Sequence, residues 1–169
     1  MPTALDANPE LLDQHEQNFV AKIREHGWFD TQVGGESDRP GFSYTTGFWL
    51  KFKVPELIVF ALRPKVAHDT FWYIYRELEA GKRFAVGERT EDIFVNLKSV
   101  LLLVSPEQYP SYLGWNRWFY GNDNFQCLQL LYPDAGGYFP WSPGVSEHER
   151  AAQPDLTEGN WSGLRERYN

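Results

Sequence analysis

The sequence predicts an α+β domain: a mainly antiparallel sheet, with a split-barrel-like closure as one form of it, and two main flanking helices. Three observations carry this. The run Glu56-Leu-Ile-Val-Phe-Ala-Leu62 is continuous rather than alternating in its apolar character, as a central strand covered on both faces requires. Two stretches, 9–26 and 64–80, place apolar side chains at helical spacing. The remaining strand-like runs outnumber the helices and are not regularly interleaved with them, which argues against a doubly wound α/β fold.

Along the chain, residues 1–7 are expected to be loose. Asn8-Pro9-Glu10 then offers a cap, a proline suited to the first helical position and an acid near the positive end of the helix dipole. Leu12, Phe19, Val20 and Ile23 share one side of the helix that should follow, and Gly27 is placed to end it. Residues 28–33 read as a strand, 34–41 as a polar loop and 42–48 as a second strand, together a plausible hairpin. Pro64 starts a helix to Ala80 with Val66, Phe71, Ile74, Tyr75 and Leu78 as its apolar stripe and Gly81 as its stop. Short strands are expected at 84–86, 93–97 and 100–104, a helical turn at 106–113, a last strand at 125–132 and a Gly/Pro turn region at 134–141. Residues 8–141 thus read as one domain and 142–169 as a polar tail or surface wrap.

A chain of 169 residues buries about two thirds of its unfolded surface without disulfides or metals. Cys127 is the only cysteine, so no internal disulfide and no cysteine metal cage can form, and its strand-like setting reads as a small buried hydrophobe. A net charge of −7 and a pI near 5.1 argue against a nucleic-acid partner, because phosphate neutralisation dominates such binding. No signal-like N-terminus is visible, and the longest apolar runs, LIVFAL and VLLLV, are too short to cross a bilayer. The expectation is a cytoplasmic protein with no membrane partner.

No motif names a reaction. His15, His26, His68 and His148 show no spacing that would put two imidazoles on one metal, so no metal site is expected. His26, just before Gly27, suits the end of a helix. Ser43, Thr45 and Thr46 lie in no nucleophile elbow, and Asp134 is ordinary turn chemistry. Gly34-Gly35 and Gly136-Gly137 match no nucleotide fingerprint, and no cofactor is expected. Arg63, Arg83, Arg89 and Arg117 converge on an anion only if the strands that carry or flank them are neighbours. The densest signal is Tyr112–Trp141, where aromatics are interrupted by Gly, Pro, Asn and Asp, the composition of a shaped surface or pocket wall.

Taken together and in this order, HGW (26–28), FSYTTGFW (42–49), PELIVFAL (55–62), the helix closing on Gly81 and QLLYPDAGGYFPW (129–141) resemble the bacterial domain-of-unknown-function family numbered forty-two sixty-two. The likeness spans roughly residues 20–141 and implies a small intracellular domain without an agreed activity. A looser likeness of strand order links the chain to flavin-binding split barrels. It implies a flavin phosphate held near Thr45, Thr46, Arg63 and Lys65.

Two functions are expected. The first is a non-catalytic module whose acidic surface and aromatic anchors, Trp115 and Trp118 among them, engage a protein partner; an immunity or antitoxin-type inhibitor of a toxin is one such role. The second is a small-molecule or flavin-binding protein or enzyme, its pocket between the sheet and residues 114–141. Tyr44, Trp49 and Trp141 would there stack on a flat ligand, with Arg63 or Arg117 holding an anion. A homo-oligomer pairing its aromatic patches is a third.

Overall fold

The structure is a computed structural model that describes residues 2–159 and 161. Strands β1 (Phe29–Val33), β2 (Phe42–Thr46), β3 (Glu56–Phe60), β4 (Thr90–Phe94), β5 (Leu97–Leu103) and β6 (Cys127–Leu131) form one six-stranded sheet in the order β1-β2-β3-β6-β5-β4. Helices are α1 (Gln14–His26), α2 (Phe48–Phe52), α3 (Pro64–Glu79), α4 (Tyr109–Tyr112), α5 (Gly114–Tyr120) and α6 (Glu147–Ala152). The molecule is α+β, but the expected mainly antiparallel, barrel-like sheet is corrected to an open, mixed one. After β3 the chain runs through α3, the β4–β5 hairpin, α4 and α5 before β6 returns parallel to β3, which a long crossover permits and a tight turn does not. β1 and β4 remain as separate edges.

Side-chain alternation gives the sheet two faces. On one, Tyr44, Ile58, Phe60 and Cys127 pack with Phe19 and Ile23 of α1, Tyr109 of α4, and Phe119 and Tyr120 of α5. On the other, Leu57, Val59, Leu101, Leu128 and Leu130 pack with Ala67, Phe71, Ile74, Tyr75 and Leu78 of α3, joined by Trp28 and Phe48. A third cluster sets Phe139 and Trp141 on Val100, Leu102 and Leu131. β3 is buried along its whole length, as its unbroken apolar run demands.

Several local expectations change. Residues 3–6 are not loose: the Thr3 side chain caps the turn Ala4–Asp6, Asp6 reciprocates on the Thr3 N–H, and Ala4 and Leu5 rest on the core. α1 begins at Gln14 rather than at Pro9, because Asp13 and Glu16 form a reciprocal capping box with both bonds at 2.8 Å, while Asn8 caps a separate one-turn 3-10 segment, Pro9–Leu11. β2 stops at Thr46 because Gly47, at φ 120°, turns the chain into α2. Residues 84–86 form no strand, and the strand expected at 93–97 is broken by a turn: β4 covers Thr90–Phe94, and Asn96, at φ 58°, turns the chain into β5 at Leu97. α5 occupies Gly114–Tyr120 of the aromatic stretch, residues to which the sequence assigns no element.

Residues 142–157 lie against the sheet end. The buried Gln129 side chain donates to the Pro154 carbonyl at 2.7 Å and accepts from the Leu156 N–H at 3.2 Å, and Gln153 exchanges two bonds with the Tyr132 backbone. The tail beyond residue 161 falls outside the described residues. Among the described residues no helix is long and apolar enough to cross a membrane.

Candidate functional site

The junction between α1 and β1 builds the most reactive-looking cleft. Gly27 ends α1 at φ 87°, and a side chain there would collide with the Tyr75 hydroxyl; Gly47 faces it so closely that a Cβ would sit 2.6 Å from the Gly27 carbonyl oxygen. This close approach ties the HGW turn to the β2–α2 turn and aims Trp28 at α3. The Trp28 ring, only 3% exposed, stacks on His68 (centroids 5.7 Å apart, planes at 24°) and meets Trp72 edge-on at 5.4 Å.

Two residues on, Asp30 of β1 points at the same helix. Its Oδ2 accepts from His68 Nδ1 at 3.0 Å and from Gln32 Nε2 at 3.0 Å, and Gln32 Nε2 also donates to the Pro64 carbonyl at the start of α3 at 2.9 Å. Gln32 therefore ties the strand that carries Asp30 to the helix that carries His68. The Asp30 side chain is 5% exposed and that of His68 44%, so the carboxylate is the buried member and the imidazole the accessible one. Burial pushes the Asp30 carboxyl above its ordinary value, and the hydrogen bonds from His68 and Gln32 recover part of that. With Asp30 ionised and the imidazole neutral, the carboxylate selects the Nδ1–H tautomer, which leaves the Nε2 lone pair free to take a proton. The pair opens onto a cleft of about 460 Å³, lined by Lys22, His26, Trp28, Asp30, His68 and Trp72 among others. An imidazole oriented by a carboxylate at the wall of such a cleft can act as general acid or base.

A second buried carboxylate has a different character. Glu56, fully buried, accepts from Thr45 Oγ1 at 2.8 Å, from the N–H groups of Gly47, Phe48 and Trp49 at 2.9–3.1 Å, and from the Tyr120 hydroxyl. It caps α2, a helix with no local side-chain cap. Burial pushes its carboxyl up, and the hydrogen bonds work against that push. Cys127 lies buried alongside β3 at this register, its thiol pushed well up by burial and by the Glu56 charge, so it is no nucleophile. Among the described residues no group of three or more His, Cys, Asp or Glu side chains is placed to hold a metal ion.

The residues singled out in the sequence fall into separate places. The Tyr44 hydroxyl accepts from the Trp115 N–H at 3.1 Å, Trp115 stacks on Phe19 at 4.6 Å, and Trp118 meets Trp115 edge-on at 5.3 Å, so these three share one cluster, with Trp49 packed at its border. Arg117 projects outward and pairs with Asp123 at 2.8 Å. Arg63 is an exposed residue at the start of α3, and Trp141, 0% exposed, stacks on Phe139 in the third cluster. Thr45 and Thr46 are buried, with hydroxyls committed to Glu56 and Asn116. None of these lines the Asp30–His68 cleft; of the residues weighed individually, only His26 does. The signal for the cleft was Trp28-x-Asp30, which puts an acid on the same side of a strand as a core indole, but its partner His68 is far away in sequence.

A family model described as "Domain of unknown function (DUF4262)" matches residues 22–146. No curated protein and no solved structure matches the chain.

Proposed function

The chain belongs to the DUF4262 family, and from that premise we propose that it is a small-molecule-binding protein whose cleft uses His68, oriented by Asp30, to take or give a proton. One observation carries the reading: a buried carboxylate holds Nδ1 of a half-exposed imidazole, and both residues line a cleft large enough for a small organic ligand. A surface ion pair would need neither the burial of Asp30 nor the second donor from Gln32.

A protein-partner role is the second reading. It is favoured by the half-buried Trp115 and Trp118 of α5 with the exposed Arg117 between them. The support is narrower than the sequence suggested, since Trp141 and Tyr44 are spent inside the fold.

Native mass spectrometry of the protein purified from its own source decides between the two. The expected result is a small-molecule adduct on the wild type that is absent from His68→Gln. An adduct that survives His68→Gln, or a stoichiometric companion protein lost on Trp118→Ala with no adduct at all, would overturn the first reading.

A further inference from the structure

We propose that the ligand of the Asp30–His68 cleft is a small carboxylic acid bound as its anion, with Lys22 and His26 holding the carboxylate and the body of the molecule reaching past Trp72 towards His68. This rests on the reading of the cleft as a small-molecule site.

The two groups that would hold the carboxylate converge. Lys22 and His26 stand four residues apart on α1 and so share one side of it, and both line the cleft. Lys22 Nζ lies 3.9 Å and His26 Nε2 3.6 Å from the same atom, Glu25 Oε2, so a carboxylate oxygen already sits between them. Neither distance is short enough for a hydrogen bond, and Glu25 is an exposed side chain that does not line the cleft. Exposed pairs of that kind are weak, which leaves both donors open to a second carboxylate from the cleft side.

The charge that solvent reaches in this cleft is that of its basic groups. The side chains of Lys22, His26 and His68 are each about half exposed, whereas that of Asp30 is buried and bonded to His68. Lys22 brings a full charge, His26 gains one when it takes a second proton, and Arg76 adds a further cation 5.6 Å over the Trp72 ring. In a chain of net charge −7 this is a local reversal of sign, which favours an acidic ligand at the site itself.

A row of rings connects the carboxylate end to the imidazole of the Asp30 pair. His26 meets Trp72 edge-on at 6.3 Å, Trp72 meets Trp28 at 5.4 Å and Trp28 stacks on His68 at 5.7 Å, so α1 and α3 are joined across the cleft. Trp72, half-buried, gives the body of the ligand an apolar neighbour between the two ends. A neutral ligand would leave the Lys22 charge unanswered. A phosphate dianion would feel the negative end of the α1 dipole, where His26 is the last residue, twice as strongly as a carboxylate does.

The test titrates benzoate, benzamide and phenyl phosphate, which share a ring and differ in charge, into the full-length chain by isothermal calorimetry. Benzoate should bind about tenfold more tightly than benzamide, as a charge-assisted contact implies. Lys22→Gln should remove that preference and Lys22→Arg should keep it. Glu25→Gln should tighten benzoate about two- to threefold by removing the carboxylate that shares the donors. Glu91→Gln, the same charge change on β4 at the opposite edge of the sheet from β1, should leave it unaltered. Benzamide binding as tightly as benzoate would overturn the carboxylate and leave the cleft a small-molecule site, and phenyl phosphate binding more tightly than benzoate would replace it with a phosphate. No uptake of benzoate at millimolar concentration would overturn it outright. The underlying reading stands or falls separately on the His68→Gln adduct.

Discussion

At the residue scale Asp30 and Glu56 are both buried carboxylates, and the protein uses them in opposite ways. Asp30 lines a cleft and has one oxygen without a hydrogen-bond partner, whereas Glu56 has its oxygens filled by five donors. Glu56→Gln would keep the shape but bring an NH₂ group against backbone N–H groups that need an acceptor. Loss of about 2–3 kcal/mol in urea unfolding at neutral pH is expected, the cost of leaving buried donors unmet. The pH dependence has a definite sign. The folded carboxyl sits above its ordinary 4.5, so the folded state binds the proton more tightly than the unfolded chain does. The contribution of Glu56 is therefore fully present below 4.5 and declines as pH rises towards the raised folded value. Glu56→Gln should flatten stability across that window. Urea midpoints that fall equally with pH in variant and wild type would show that the carboxyl does not titrate there.

At the element scale, what the sequence made legible was periodicity and what it hid was context. β3 could be read because five consecutive buried positions leave an unbroken apolar run, and α3 because Phe71, Ile74, Tyr75 and Leu78 repeat at helical spacing. α5 was hidden because Trp115, Trp118, Phe119 and Tyr120 put aromatics on every side, which blurs the period although Asn116, Phe119 and Tyr120 are its buried face. The Asp30–His68 pair was hidden for a different reason: it joins a strand to a helix, and no local pattern records that meeting. The glycines that end helices were legible as stops, but not in their unequal weight. Gly121 ends α5 at φ 71° with open space around it, so Gly121→Ala should cost about 1 kcal/mol from backbone strain alone. Gly27 ends α1 at φ 87° with Tyr75 and Lys51 against the site where a Cβ would be, and it positions Trp28. Gly27→Ala should cost more than Gly121→Ala by about 1–3 kcal/mol, because the new methyl also overpacks a filled site. Denaturant unfolding of the two variants side by side checks the order, and equal costs would mean that the contact at Gly27 relaxes freely.

At the scale of the whole molecule, the segment after the third aromatic cluster closes the sheet rather than trailing from it. Gln129, fully buried in the middle of β6, is polar in a strand whose other members are Cys127, Leu128, Leu130 and Leu131, and its amide is satisfied by Pro154 and Leu156 of the C-terminal segment. Leu156 in turn lies in the core cluster, and its carbonyl accepts from the Ser105 N–H at 2.8 Å. Removing residues 147–169 therefore strips an apolar side chain from the core and leaves a buried amide unpaired. Together these should lower stability by about 3–5 kcal/mol. A second substitution separates the amide from the apolar side chain. In the full-length chain Gln129→Leu leaves the Leu156 N–H without its acceptor and should destabilise. In the truncated chain the same change removes an unsatisfied amide from an apolar strand and should stabilise. A change of sign between the two backgrounds, read from urea midpoints, identifies the segment as the partner that β6 was built to receive. The same sign in both would mean that water serves Gln129 as well as residues 154–156 do, and that the strap is dispensable to the fold.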